Sequence, residues 1–183
     1  MPGIVWSLAR AAGFYTPIVR GERPMRVRML CLGRHWNART YSYEHSRTDI
    51  DGLPAPALPE ELIRLATRAG RDAGFSFTPD MCIVNWYSAA SRLGLHQDKD
   101  ESPESIAAGA PVVSFSIGDT ARFLFGGLRR RKPIQKIPLE SGDAFVFGGP
   151  ARLRYHGVAR IEPGTAPPGL PFEGRLNLTF RQY

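Results

Sequence analysis

The sequence predicts a mainly β protein, a jelly roll preceded by N-terminal helices. Three observations carry that prediction. From about residue 76 onward the apolar residues recur with a period of two rather than 3.6. Gly (19) and Pro (16) are plentiful in a chain of 183 residues, which favours short strands and turns over a helical bundle. Gly-rich punctuation falls between the apolar runs, at Gly126-Gly127, Ser141-Gly142-Asp143 and Gly148-Gly149-Pro150. The length fits one domain over 1–183 with a full core. Residues 1–75 form its N-terminal helical part and 76–183 its jelly-roll core.

The elements follow in order. Ile4 to Ala12 reads as a short helix that buries Trp6 and Leu8 and stops before Gly13. Met25 to Leu32 alternates Arg26 and Arg28 against Val27 and Met29, the mark of a strand. Asp51 to Pro59 is a loop leading into a second helix. Pro59 suits its first turn, Glu60 and Glu61 suit the positive end of its dipole, and Leu62, Leu65, Ala66 and Ala69 give one apolar face. Gly70 and Gly74 end it. Eight strands come next: Met81–Tyr87, Leu93–Asp98, Pro111–Ile117, Arg122–Phe125, Ile134–Leu139, Ala144–Phe147, Arg152–Tyr155 and Arg175–Arg181. Glu162 to Gly174 holds four prolines and three glycines and is a loop.

Composition narrows the class further. Hydrophobic content of 43% and charged content of 22% fit a soluble globular protein. The net charge of +7 fits a polyanionic partner; the alternative is a soluble surface that happens to be basic. Cys31 and Cys82 carry no framework spacing and read as free thiols in a reducing compartment. Met1 to Phe14 has neither a charged leader nor a long apolar core, so the expectation is a cytoplasmic protein that engages no membrane.

The chemistry sits in three places. His96 and Asp98 lie two residues apart on one strand, so both side chains point to the same face. With His156 from another strand they make the ligand set of a 2-His-1-carboxylate iron site, which leaves metal positions open for a co-substrate and O₂. An isolated H-x-D is common; the alternative is a surface His beside an acid. His35 and His45 lie outside the strand-rich region and read as surface or substrate-lid residues. On the last strand Arg175, Asn177, Thr179 and Arg181 share one face, and Leu176, Leu178 and Phe180 the other. Buried arginines need anions. A dicarboxylate ligand would satisfy the two guanidiniums; salt bridges to Asp or Glu elsewhere are the alternative. The ends of that strand are about 20 Å apart, so the side chains must lean together or the strand must bend. Arg129-Arg130-Arg131-Lys132, after a Gly-Gly turn, reads as a phosphate-contacting loop or as a solvated hairpin tip.

Taken in order, Asn85-Trp86-Tyr87, His96-Gln97-Asp98-Lys99-Asp100-Glu101, Phe125-Gly126-Gly127-Leu128, Tyr155-His156-Gly157 and Arg175-Leu176-Asn177-Leu178-Thr179-Phe180-Arg181 resemble the AlkB family, bacterial type. These are Fe(II)- and 2-oxoglutarate-dependent nucleic-acid repair dioxygenases. The resemblance runs from about Met25 to the C-terminus and implies a double-stranded β-helix. It implies that His96, Asp98 and His156 hold Fe(II) and carry the catalysis. It implies that Asn85, Tyr87, Arg175, Asn177 and Arg181 bind 2-oxoglutarate, with Arg175 on the distal carboxylate and Arg181 on the one near the metal. On the substrate side it implies that Trp36 stacks on a flipped base, Tyr41 lies near the phosphates, Asp100 contacts the base and Arg130 stands beside the target. A two-residue gap between Trp36 and Tyr41 leaves Tyr41 and Tyr43 as alternatives. It makes residues 1–75 a nucleotide-recognition lid as well as a helical part.

The implied reaction is oxidative demethylation of 1-methyladenine and 3-methylcytosine in single-stranded DNA, with RNA as a second substrate. 2-Oxoglutarate and O₂ are consumed, and succinate and formaldehyde released. Both lesions are cationic and unable to pair, so a carboxylate such as Asp100 and a flipping mechanism suit them. The expected partner is alkylated nucleic acid, and the expected state a monomer. Two departures stand out: the chain before Met25 is short for the family, and Ala107 to Ala110 resembles a small insertion. Two other readings compete. One is an oxygenase of this fold acting on a protein side chain or small metabolite, which +7 and Trp36 disfavour. The other is a non-catalytic nucleic-acid binder, which the complete ligand set disfavours.

Overall fold

The computed structural model describes residues 2–131 and 133–183. Met1 and Lys132 lie outside the described residues. The chain begins with α1 (Pro2–Ala12), then β1 (Ile18–Val19), β2 (Arg23–Pro24), β3 (Arg28–Leu32), β4 (His35–Asn37) and β5 (Ser42–Glu44). After α2 (Glu60–Asp72) come β6 (Met81–Tyr87), β7 (Leu93–His96), α3 (Pro103–Ala107), β8 (Val112–Gly118), β9 (Thr120–Phe125), β10 (Gln135–Leu139), β11 (Ala144–Phe147), β12 (His156–Glu162) and β13 (Arg175–Arg181).

Two antiparallel sheets form the jelly roll. The larger runs β11-β8-β13-β6-β3 and the smaller β10-β9-β12-β7. Apart from β9 and β10, the neighbours in these two sheets are not consecutive in the chain, so the fold rests on long-range pairing. β13 is central: it pairs along its whole length with β6, from Arg175↔Tyr87 to Arg181↔Met81, and on its other edge with β8. Its alternation divides it as the sequence predicts. Leu176, Leu178 and Phe180 are fully buried beneath α1 and α2, in a core that includes Val5, Leu62, Ala66 and Val84. Truncating one of these would cost about 2–5 kcal/mol through lost burial and a cavity. The opposite face of β13, with Arg175, Asn177, Thr179 and Arg181, lines a cavity between the sheets.

Several elements differ from expectation. Gly70 does not end α2. It is buried inside the helix, where a Cβ would come within 2.9 Å of the Phe77 ring, so its role is close packing; the helix runs on to Asp72. Residues 1–75 hold five short strands besides the two helices, and β3 joins the larger sheet at its edge through β6. The predicted strand Arg152–Tyr155 is absent. Gly149–Ala151 is a 3₁₀ turn, Arg152 keeps helical dihedrals, and the strand starts only at His156. There the alternation of Arg and apolar residues came from side chains with separate tertiary partners. The Ala107–Ala110 region closes α3, which Ser102 caps by accepting a bond from the Ser105 amide at 3.1 Å. Cys31 and Cys82 are free and buried, and burial pushes both thiols up.

Candidate active site

β7 and β12 are antiparallel neighbours with His96 directly opposite His156. That register brings the two rings to 4.4 Å between centroids across sixty residues of sequence. Gly157 makes the approach possible: a Cβ there would fall 2.6 Å from the Leu93 carbonyl oxygen and 2.9 Å from that of Gly94. Asp98 follows β7 and turns its carboxylate toward both rings, with Oδ1 3.6 Å from His96 Nε2 and Oδ2 3.6 Å from His156 Nε2. One potential ligand atom from each residue lies within 4.8 Å of the others.

The histidines are oriented alike. His96 Nδ1 is 2.9 Å from the Gly94 carbonyl oxygen and His156 Nδ1 is 3.0 Å from that of Arg154. A carbonyl only accepts, so each Nδ1 carries a proton and Nε2 is the nitrogen each ring turns toward Asp98. Burial, followed by the neighbouring His156, pushes His96 down to about 4, which keeps its imidazole neutral. Burial alone would raise the Asp98 carboxyl. Arg181, then His156 and His96, outweigh it and hold Asp98 well below the usual carboxylate range. Two imidazole Nε2 atoms and one carboxylate fit Fe(II) as a facial set.

The two arginines of β13 have different surroundings. Arg181 donates to Asp98 Oδ2 through Nε (3.0 Å) and Nη2 (2.7 Å), and its Nε is 3.0 Å from Glu101. Glu101 also meets Arg152 at 3.0 Å, and Arg152 donates to the Asp98 backbone carbonyl at 2.5 Å. Acid and base thus alternate through a buried chain, Asp98–Arg181–Glu101–Arg152. For Arg181 the salt-bridge alternative describes the geometry. Arg175 is different: it is 1% exposed and pairs with no carboxylate among the described residues. It donates to the carbonyls of Asp119 (3.1 Å) and Leu139 (2.9 Å) and to Ser116 Oγ (2.7 Å). Burial pushes it down to about 10.

A buried guanidinium with only neutral partners calls for an anion. The cavity beside it offers more unmet polarity, since Asn85 Oδ1, Arg175 Nε and Arg181 Nη1 are all buried without a hydrogen-bond partner among the described residues. Tyr87 and Asn177 line the same space, so all five residues expected around the co-substrate, both arginines included, border one cavity. Asn177 is already engaged with Ser114 Oγ and Thr179.

A second cavity, of about 370 Å³, opens beside the first; Asn85, Leu93, His96 and Arg181 line both. It lies within the range of small-molecule sites. Its walls include Trp36, Tyr41, Tyr43, Asp100 and Arg130, so every residue expected on the substrate side is present. Trp36 Nε1 donates to Asp100 Oδ2 at 2.9 Å, and the Tyr41 ring meets the Trp36 ring edge-on at 5.7 Å. Tyr41 is the more exposed of the two tyrosines, at 40%. Arg129, Arg130 and Arg131 are exposed on the loop after β9; Lys132 of that run lies outside the described residues. His45 is exposed, but His35 is not a surface residue. It is fully buried at the base of the β4–β5 hairpin, 2.5 Å from Asp49 and packed on Tyr15. Glu101, Arg152 and Ser116 escaped the sequence reading as members of the site. Glu101 stood in view inside the HQDKDE run; Arg152 gave no local signal.

A jelly roll that carries a facial His-Asp-His set next to an anion-seeking cavity defines the class of non-haem iron oxygenases that use an acidic co-substrate. The chain belongs to the 2OG-Fe(II) oxygenase superfamily, whose profile matches residues 4–181, and within it to the AlkB family. The family's co-substrates are 2-oxoglutarate and O₂, and its metal Fe(II). The chain is 42% identical over 178 residues to the alpha-ketoglutarate-dependent dioxygenase AlkB of Salmonella typhimurium, covering 96% of this chain and 80% of that one. It is 45% identical over 192 residues to the DNA N(6)-methyladenine demethylase ALKBH1C of Arabidopsis thaliana, covering 93% of this chain. It spans only 42% of that plant protein's length. The solved structure of OsALKBH1 superposes with a TM-score of 0.91 at 39% identity, covering all of this chain and 91% of that one. Among the described residues no helix is long and apolar enough to cross a membrane.

Proposed function

We propose that this chain oxidatively demethylates N-alkylated bases, 1-methyladenine and 3-methylcytosine, in single-stranded DNA and also in RNA. What carries the reading is the junction of the two cavities beside His96, one edged by an unpaired buried guanidinium and the other by Trp36 and Asp100. When bound, Fe(II) and 2-oxoglutarate supply O₂-dependent hydroxylation of a methyl carbon, with CO₂ and succinate as co-products.

The chain's own residues do the rest. His96, Asp98 and His156 hold the metal. Arg175 holds the distal carboxylate of 2-oxoglutarate, Arg181 neutralises charge at the metal end, and Asn85, Tyr87 and Asn177 line the path between. Trp36 stacks on the flipped base, a contact worth about 1–3 kcal/mol in single-strand binders. Asp100 turns a carboxylate to the cationic ring and is held in place by the Trp36 N–H. Tyr41 and Arg130 stand at the rim where the sugar-phosphate backbone passes. The names of the plant relatives favour N6-methyladenine as a second substrate. That base is uncharged, so it gains less from Asp100.

Mass spectrometry tests the proposal. Single-stranded DNA and RNA oligonucleotides carrying 1-methyladenine, 3-methylcytosine or N6-methyladenine are incubated with the protein, Fe(II) and 2-oxoglutarate. Methyl loss from the first two is the expected result. Steady decarboxylation of 2-oxoglutarate with no methyl loss from any oligonucleotide would move the substrate to a protein side chain or metabolite.

A further inference from the structure

Two residues other than glycine adopt positive φ among the described residues, Glu22 (55°) and Tyr41 (57°). A side chain with a Cβ is disfavoured there, and a bulky one such as Tyr is a genuine outlier that its surroundings must enforce. Both sit at hairpin tips, Glu22 between β1 and β2 and Tyr41 between β4 and β5. The two tips touch each other. Arg39 Nη1 meets Glu22 Oε1 at 2.6 Å, and Arg20 Nε donates to the Arg39 carbonyl at 3.3 Å. The Arg20 guanidinium lies over the Tyr41 ring, 5.1 Å from its centroid. The same ring meets Trp36 edge-on, and the Tyr41 amide donates to the Asn37 carbonyl at 2.9 Å. Val19 from the first hairpin and Trp36, Tyr41 and Tyr43 from the second line the larger cavity; Arg20, Glu22 and Arg39 do not.

We propose that Arg20, Glu22 and Arg39 are positioning residues that latch the two hairpin tips together and hold the Tyr41 ring as the outer wall of the base cavity. This rests on the nucleic-acid reading above and deepens it by naming what sets the closure of the cavity on a base. The three act only through Tyr41. Their contacts suit a wall that must part to admit a base, because the Arg39–Glu22 pair is exposed, with side chains 50% and 74% accessible. Exposed ion pairs and exposed cation–π contacts are weak and quickly exchanged.

Glu22→Gln separates the latch from simple attraction of phosphate. If Arg20 and Arg39 served only as phosphate contacts, removing a nearby carboxylate would tighten binding and lower KM. The latch requires the opposite. In Glu22→Gln and Arg20→Ala, KM for a 3-methylcytosine oligonucleotide should rise about two- to five-fold, the range of an exposed cation–π contact or ion pair. kcat and 2-oxoglutarate affinity should be unchanged. Arg20→Lys should recover part of the loss, and the charge-swapped Glu22→Arg/Arg39→Glu variant should recover more than Arg39→Glu alone. Without any substrate, hydrogen exchange at the Tyr41 amide should quicken in Glu22→Gln and Arg20→Ala. A lowered or unaltered KM in Glu22→Gln, or unaltered exchange at Tyr41, would overturn the latch. Failure of the wild-type protein to demethylate any oligonucleotide would overturn the functional reading alone, and the exchange measurement would still decide the latch.

Discussion

Arg175→Gln is the sharpest perturbation of the co-substrate cavity. The guanidinium is 1% exposed, has no carboxylate partner among the described residues, and rests on two backbone carbonyls and a hydroxyl. With 2-oxoglutarate bound it would gain the missing anion. Losing one charge-assisted bond costs about 1.5–3 kcal/mol, so affinity for 2-oxoglutarate should fall roughly 10- to 150-fold. The substitution also strips donors from the Asp119 and Leu139 carbonyls, at about 1–3 kcal/mol for a buried group left unpaired. Melting must therefore be followed beside binding. Anaerobic calorimetric titration of the Fe(II)-loaded protein with 2-oxoglutarate gives the first number, and thermal unfolding without ligand the second. A second signature comes from linkage. Ligand at 100 times Kd stabilises the wild type by about 2.7 kcal/mol, and the variant should lose most of that at the same concentration. A folded Arg175→Gln variant with wild-type 2-oxoglutarate affinity would refute the assignment and leave Arg175 as a structural clamp on the β8–β9 turn and the end of β10.

Three further perturbations test the rest of the site. His96→Ala, Asp98→Ala and His156→Ala should each abolish 2-oxoglutarate turnover, because two ligands do not hold a facial ferrous site; wild-type activity in any one would remove that residue from the set. Replacing Arg129 and Arg131 with Gln should weaken binding of methylated and unmethylated single strands alike. It should flatten the log–log salt slope by about 0.7 per lost phosphate contact, and an unchanged slope would make the run a solvated hairpin tip. The last concerns metal-free protein, in which His96 stays neutral down to about 4 against roughly 6.5 for an unfolded chain. Between those values the unfolded state binds the extra proton, so this contribution to stability is intact above pH 6.5 and drains away as pH falls toward 4. His96 is about one-third exposed, at 36% of its side chain, so solvent tempers the effect. Melting temperatures in chelator from pH 7.5 to 5 should fall less steeply in His96→Gln; parallel curves would count against a His96 imidazole held neutral in the folded protein.

The sequence by itself determined the features that depend on periodicity and on fixed local spacing. The alternation of β13 is a property of the backbone, and it divided Leu176, Leu178 and Phe180 from Arg175, Asn177 and Arg181 before any partner strand was known. The i, i+2 spacing of His96 and Asp98 works in the same way. The Gly-rich turns after β9, β10 and β11 were legible because turn chemistry is local. The motifs on these strands were also enough to indicate the family.

Only the tertiary structure decided which side chains meet across the sheets. His156 faces His96 because β12 pairs with β7, and nothing within sixty intervening residues encodes that neighbour. The same holds for the unequal arginines of β13: Asp98 and Glu101 reach Arg181, while among the described residues no carboxylate reaches Arg175. Local pattern misled where a residue served a distant partner. Arg152 and Arg154 mimicked a strand while reaching for Asp98 and Gly126, Gly70 mimicked a helix end while making room for Phe77, and His35 mimicked a surface residue while pairing with Asp49. Periodicity reports which face a side chain occupies, because the backbone geometry sets it. The partner on that face depends on strand order, and strand order is settled by burial and pairing summed over the whole chain.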